Sequence, residues 1–179
     1  MTTIETNSLQ EKQSKIITAI ERILDLHFPP PIPVPLNHAS EFQFLSAVSL
    51  SAQTTDISVN RVTKILWEKA PTPEATLLLS QEEVEGIIQS LGFYKNKAKN
   101  LLLLSKQLVE KYGGVVPVNK TDLIGLAGVG NKTASVYLSQ MHGIPSMAVD
   151  THVNRVSHRI GFSTGNTPEK VEKDLLKNI

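Results

Sequence analysis

The sequence predicts an all-α fold, from three observations. Apolar residues recur at three- and four-residue spacing along almost the whole chain, and segment after segment opens on Ser, Thr, Asn or Asp. No run of alternating apolar and polar residues competes as a strand. With 179 residues and 40% hydrophobic content the chain is long enough for one sizeable core or two small lobes, and ten glycines and ten prolines argue against low complexity.

The first helix is expected from Leu9 to about His27, with Ile16, Ile17, Ile20, Ile23 and Leu24 on one side, and the prolines from Pro29 to Pro35 then form an extended connector. Ser40 caps a second helix with Phe42, Leu45, Val48 and Ala52 inward; Thr55 or Asp56 caps a third through Val59, Val62, Ile65, Leu66 and Trp67. Thr72-Pro73 opens a short helix. Ser80-Gln81-Glu82-Glu83 fits a capping box before Val84, Ile87, Ile88 and Leu91. Asn96 precedes a long helix through Leu101, Leu104, Leu108 and Val109 that ends at Gly113-Gly114.

Asn119 caps a short helix through Leu123, Ile124 and Leu126, and Ala134, Val136, Tyr137, Leu138 and Met141 recur at helical spacing up to Gly143. Between these two helices lies Gly128-Val129-Gly130-Asn131-Lys132-Thr133. Two glycines flanking a valine let the backbone take positive φ and approach another molecule closely, so amide N–H groups and the following helix N-terminus can face an anion such as a phosphate. The unit reads as helix, hairpin, helix. Lys132 falls in the first turn of its second helix, where the positive end of the macrodipole and partial burial both disfavour an ammonium and suit the side chain to act as an amine nucleophile.

After Gly143, Ile144 to Val149 reads as an extended run, and Asp150 precedes a helical pattern of Val153, Val156 and Ile160. By local chemistry Asp150 is an ordinary N-cap, a place Thr151 or His152 could also fill. The last segment, from Thr167-Pro168 to Ile179, starts a helix with a Thr cap and Pro in its first turn and carries no stop signal.

Net charge is +1, so there is no polybasic tail, and binding of a polyanion depends on local patches. One candidate is Lys95, Lys97, Lys99, Lys106 and Lys111. The apolar run from Leu101 to Leu104 is far below the roughly 20 residues that span a bilayer, and no signal peptide is evident, so no membrane partner and a cytoplasmic location are expected. Five scattered histidines and no cysteine form no metal-ligand spacing.

Three separated motifs then occur in a recognisable order: Leu50-Ser51-Ala52-Gln53-Thr54-Thr55-Asp56, Leu91-Gly92-Phe93-Tyr94-Lys95-Asn96-Lys97-Ala98, and Leu126-Ala127-Gly128-Val129-Gly130-Asn131-Lys132-Thr133-Ala134 with Ala148-Val149-Asp150-Thr151-His152. From about Ile16 onward the chain resembles endonuclease III, the bacterial helix-hairpin-helix DNA glycosylase with AP lyase activity. The resemblance implies a two-lobed glycosylase fold: a helical bundle over 34–143, with the hairpin at about 126–132, and a second lobe joining 1–33 to 144–179. It implies a monomer acting on double-stranded DNA that carries oxidised pyrimidines or abasic sites, and a bacterial, nucleoid-associated location.

The resemblance also implies roles: Lys132 and Asp150 as the catalytic pair, Gln53 and Phe93 as the pair inserted into the duplex, and Gly128, Val129, Gly130 and Thr133 as hairpin contacts to DNA. Phe93 stands where leucine is common in the family. Asp56 and His152 match polar positions near the catalytic cleft. The family usually carries a [4Fe–4S] cluster on four C-terminal cysteines, none of which this sequence contains. The expectation is therefore a chain lacking the iron-sulfur part of its second lobe, a fragment that stops within a helix. A non-catalytic helix-hairpin-helix DNA-binding protein, or a degenerate truncated glycosylase, is the competing reading.

Overall fold

The computed structural model describes residues 3–27, 29 and 34–178, and every regular element among them is a helix. In chain order these are α1 (Thr3–His27), α2 (Glu41–Leu50), α3 (Asp56–Lys69), α4 (Pro73–Thr76), α5 (Gln81–Ile88), α6 (Tyr94–Tyr112), α7 (Lys120–Ile124), α8 (Asn131–His142), α9 (Thr151–Arg159) and α10 (Pro168–Asn178). The proline connector expected over 29–35 lies largely outside the described residues. No helix among the described residues is long and apolar enough to cross a membrane. The chain divides into two units, Val34–Ala148, and Met1–Pro33 with Val149–Ile179.

The larger unit is built around α2. Phe42, Phe44, Leu45, Ala47, Val48 and Leu50 are all buried, so this helix is apolar on every side, as a central helix must be. Around it, α3 contributes Val59, Val62 and Leu66, α5 Val84 and Ile88, α6 Ala98, Leu101, Leu104 and Leu108, and α8 Ala134, Tyr137 and Leu138. Each set repeats at three- and four-residue spacing and forms one face. Ala52, expected inward, is exposed, because α2 ends at Leu50 and the chain leaves the core there. Ile65 is 46% exposed because it lies off the Val59–Val62–Leu66 stripe.

Side-chain oxygens close the N-termini expected to be capped: Ser40 on α2, Thr55 on α3, Thr72 on α4, Ser80 with Glu83 as a capping box on α5, and Asn119 on α7. The start of α6 differs from expectation. Its N-cap is Phe93, in the left-handed region at φ 58° and ψ 29°, so Asn96 lies inside the helix and does not precede it. The last turn ends as anticipated on Gly113, at φ 60°.

A polar network ties the N-terminus of α2 to the C-terminus of α8. The fully buried Tyr137 donates its hydroxyl to Glu41 Oε2 at 2.8 Å, and His142 Nε2 lies 3.0 Å from the same hydroxyl and 3.6 Å from Glu41 Oε1. Burial, then the hydrogen bond and charge of Glu41, push the phenol far above its usual range, so the hydroxyl stays a donor. Phe44 stacks on the Tyr137 ring at 6.4 Å.

The turn between α7 and α8 is fastened to the same core. Leu126 and Val129 are buried. Gln107 of α6 grips the turn with both ends of its amide, donating to Gly125 C=O at 3.1 Å and accepting from Ala127 N–H at 2.7 Å. Ser49 of α2 donates to Gly128 C=O at 2.9 Å. Gly128 has φ 77°, and a Cβ there would meet Ser49 Oγ at 2.9 Å and Asn100 Cβ at 3.1 Å. Beyond α8, Ser146 Oγ donates to Ser135 C=O at 2.7 Å, which keeps the extended segment with the larger unit.

In the smaller unit, α9 ends in a Schellman arrangement: Phe162 N–H donates to Ser157 C=O at 2.8 Å, with Gly161 at φ 76°. Phe162, Val171 and Leu175 are buried. Ser163 Oγ donates to Asp174 Oδ2 at 2.7 Å and accepts from Gly165 N–H at 2.9 Å, which folds the loop onto α10. In α1, Ile16, Ile17 and Ile20 are half-buried, whereas Ile23 and Leu24 are 58% and 49% exposed.

Two substitutions test this account by urea denaturation. Tyr137→Phe is expected to lower stability by about 1–2 kcal/mol at unchanged m-value, the loss of a hydrogen bond to a half-exposed carboxylate. Gly128→Ala is expected to cost about 1–3 kcal/mol, since a strained φ adds to the clash with Ser49; a loss below about 0.5 kcal/mol would contradict the close approach.

Candidate functional site

Lys132 is the second residue of α8, behind the hairpin formed by α7, the turn and α8. The N-cap of α8 is Gly130, in extended backbone (φ −97°, ψ 178°), and it offers no side-chain oxygen to the first turn. A helix start without a side-chain cap directs the positive end of its dipole toward an approaching anion. Of the two environments expected around Lys132, the helix N-terminus is present and the burial is absent: the side chain is exposed. Gly128 and Gly130 are also exposed, and Thr133 is half-buried. Val129 turns the other way, with its side chain 5% exposed in the core and its N–H donated to Leu126 C=O at 3.1 Å, so it plugs the hairpin onto the bundle.

Gln53 and Phe93 share a rare conformation. They are the two non-glycine residues with positive φ among the described residues, at 55° and 58°. For an L-residue this region costs about 1–2 kcal/mol, and such strain concentrates at functional sites. Phe93 is also 71% exposed, an unusual position for a large aromatic ring. Both residues line one cavity of about 280 Å³ with Ser49, Ala52, Asn96, Lys97, Asn100 and Gly128. The structure thus brings together three of the expected contact residues, Gln53, Phe93 and Gly128, from the end of α2, the start of α6 and the hairpin. Lys132 does not line this cavity.

The sequence shows Lys97 as part of a motif and of a basic patch and Asn96 as a residue before a helix, and it offers no site role for Ser49, Asn100 or Gln107. Asn96 and Asn100 stand four residues apart, so they share a face of α6, a signal that was present in the spacing. Lys97 departs from the solvated patch. Its Nζ donates to Thr54 Oγ1 at 2.8 Å, and burial lowers its pKa below the ordinary lysine value. Lys95, Lys99 and Lys111 are exposed, and Lys106 pairs with Glu110 at 3.7 Å.

Asp150 lies in the smaller unit as the N-cap of α9, half-buried. Its Oδ1 accepts from both His152 N–H and Val153 N–H at 2.9 Å, so the local reading of this residue as a cap holds. The ring of His152 is exposed, and its Nδ1 accepts from Arg155 Nη2 at 3.2 Å. Asp56 is half-buried in the first turn of α3, while the cap itself is Thr55, which accepts from Ser58 N–H at 3.4 Å.

No group of His, Asp or Glu among the described residues could hold a metal ion. The chain contains no cysteine, and iron-sulfur clusters are held by Cys thiolates, so the residues present do not fit a [4Fe–4S] cluster.

Residues 46–179 match the family described as HhH-GPD superfamily base excision DNA repair protein. Endonuclease III of Rickettsia felis is 46% identical over 167 residues, covering 93% of this chain and 78% of the relative. Endonuclease III of Escherichia coli K12 is 46% identical over 144 residues, covering 80% and 68%. In Bacillus subtilis the identity is 48% over 145 residues, covering 80% and 66%. Among solved structures, a trapped endonuclease III–DNA covalent intermediate in an estranged-adenine complex superposes with a TM-score of 0.84 at 43% identity, covering 93% of this chain and 78% of that one. A thermostable thymine-DNA glycosylase shares the fold, with a TM-score of 0.73 at 18% identity. The all-helical fold, the hairpin with its lysine and these matches agree, and the chain belongs to the HhH-GPD superfamily of base excision DNA repair proteins, on its endonuclease III branch.

Proposed function

We propose that this chain excises oxidised pyrimidines from double-stranded DNA and nicks the resulting abasic site, with Lys132 as nucleophile and Asp150 as its acid-base partner. A base excision repair enzyme of the DNA glycosylase and AP lyase class is what membership of this branch makes it. The observation that supports the assignment of roles is the placement of an exposed lysine in the first turn of α8, directly behind the Gly-Val-Gly hairpin. A non-catalytic hairpin protein needs neither that lysine nor an aspartate at position 150.

The chemistry follows from these groups. The target nucleotide leaves the stack, because its sugar carbon cannot be reached inside the duplex. The Lys132 amine in its neutral form attacks C1′, and the base departs with the electrons of the glycosidic bond. The amine then loses its proton, the sugar ring opens, and a Schiff base joins Nζ to C1′. Loss of the C2′ proton sends an electron pair toward C3′ and expels the 3′-phosphate by β-elimination. The Asp150 carboxylate stabilises positive charge on the sugar as the base leaves and moves protons to and from Lys132.

Gln53 and Phe93 fill the space the flipped nucleotide vacates, a task for which an exposed ring on a strained turn is suited. Gly128, Gly130 and Thr133 hold the backbone phosphate at the start of α8, with Val129 as the plug that seats the hairpin. Asp56 and His152 support the cleft. In this reading the enzyme works as a monomer, and its place is with the nucleoid in the bacterial cytoplasm.

Borohydride trapping on duplex DNA with a single abasic site tests the nucleophile. The 179-residue chain should form a covalent adduct, and Lys132→Ala should form none; an adduct that survives the substitution refutes the assignment. Asp150→Asn separates catalysis from capping, since Asn caps a helix about as well as Asp. It should leave the melting temperature within a few degrees while lowering turnover about 10²- to 10⁴-fold, the usual worth of a general acid-base group.

A further inference from the structure

We propose that Lys97 is a positioning residue that holds the Gln53 turn and the Phe93 turn in register, one through its side chain and the other through its backbone. The inference rests on the reading of these two residues as the inserted pair.

The two turns are far apart in sequence and both are strained. Lys97 reaches each of them. Its ammonium donates to Thr54 Oγ1 at 2.8 Å across 43 positions of chain, and that hydroxyl donates onward to Ala52 C=O at 3.3 Å. The Ala52 carbonyl belongs to the peptide leading into Gln53, so its orientation sets the φ of Gln53. Thr54 N–H closes the same turn onto Ser51 C=O at 3.0 Å. At the other end, Lys97 N–H donates to Phe93 C=O at 3.0 Å, the first hydrogen bond of α6 and the one that fixes how Phe93 leaves its left-handed conformation.

One residue therefore anchors the carbonyl before Gln53 and the carbonyl of Phe93. An ammonium, a hydroxyl and a carbonyl in series form a charge-assisted chain, stronger than a neutral one. Its placement distinguishes Lys97 from its neighbours: Lys95 and Lys99 are exposed, whereas Lys97 is half-buried and lines the cavity shared by Gln53 and Phe93. A lysine that only attracts DNA phosphate has no need of a hydroxyl partner inside the protein.

The test compares borohydride trapping rates on duplex and single-stranded abasic DNA, because only the duplex requires an inserted pair. Lys97→Met and Thr54→Val should each lower the duplex to single-strand ratio about tenfold, the worth of a charge-assisted hydrogen bond. The double variant should be no worse than either single one, since both break the same chain. Lys97→Arg should recover most of the ratio, and the salt dependence of duplex binding should not change. An unaltered ratio in folded Thr54→Val overturns the proposal even if Lys97→Met does not fold. A salt slope lowered by about one in Lys97→Met also overturns it, by making Lys97 a phosphate contact. If the wild-type chain forms no adduct on either DNA, the proposed function fails and takes this inference with it; a wild-type adduct with an unaltered variant ratio removes this inference alone.

Discussion

The peptide backbone at Gly128 runs so close to α2 and α6 that no side chain has room there. That closeness sets where the hairpin sits on the bundle, and the hairpin sets where α8 begins. Ser49 and Gln107 hold the turn from the two helices beneath it, while Leu126 and Val129 anchor it in the core. The position of Lys132 is thus determined two residues into a helix whose origin is fixed by packing. A side chain at that position starts from a fixed backbone origin, and the effective concentration of any group it carries depends on such positioning.

Much of this was legible in the residues. Ser40, Thr72, Ser80, Asn119 and Asp150 announce helix starts because a short side-chain oxygen has few better uses in front of an apolar repeat. Gly113, Gly128 and Gly143 announce the ends and the turn because their backbone conformation excludes most other residues. What stayed hidden is what local chemistry does not encode. Nothing in the sequence says that Gln53 and Phe93 take a conformation usually left to glycine, so the pattern alone puts the start of α6 just after Asn96 and not at Tyr94. The Lys97–Thr54, Gln107–hairpin and Glu41–Tyr137 bonds join residues distant in sequence, and only the fold brings them together. At the site, family resemblance supplied the roles, and the structure supplied the shared cavity.

The pattern of helix capping connects the near-neutral charge of the chain to its proposed role. Side chains cap α2, α3, α4, α5, α7 and α9. The starts of α6 and α8 lack such caps, and these are the starts at Phe93 and at the hairpin. An absent cap forgoes about 1 kcal/mol of helix stability. It also leaves the positive end of the helix dipole without a side-chain oxygen in front of it, a setting that favours a phosphate. With a net charge of +1, a grip on DNA built from oriented amides needs few cations and binds without general attraction to any polyanion.

The strain at Gln53 and Phe93 has a consequence for how this chain changes over time. Glycine or asparagine at either position would relax the backbone, so selection for thermal endurance alone would erode both side chains while improving the fold. A long amide and an aromatic ring on left-handed backbone are therefore not choices that stability explains. In a lineage freed from whatever demand keeps them, these two positions should be among the first to drift.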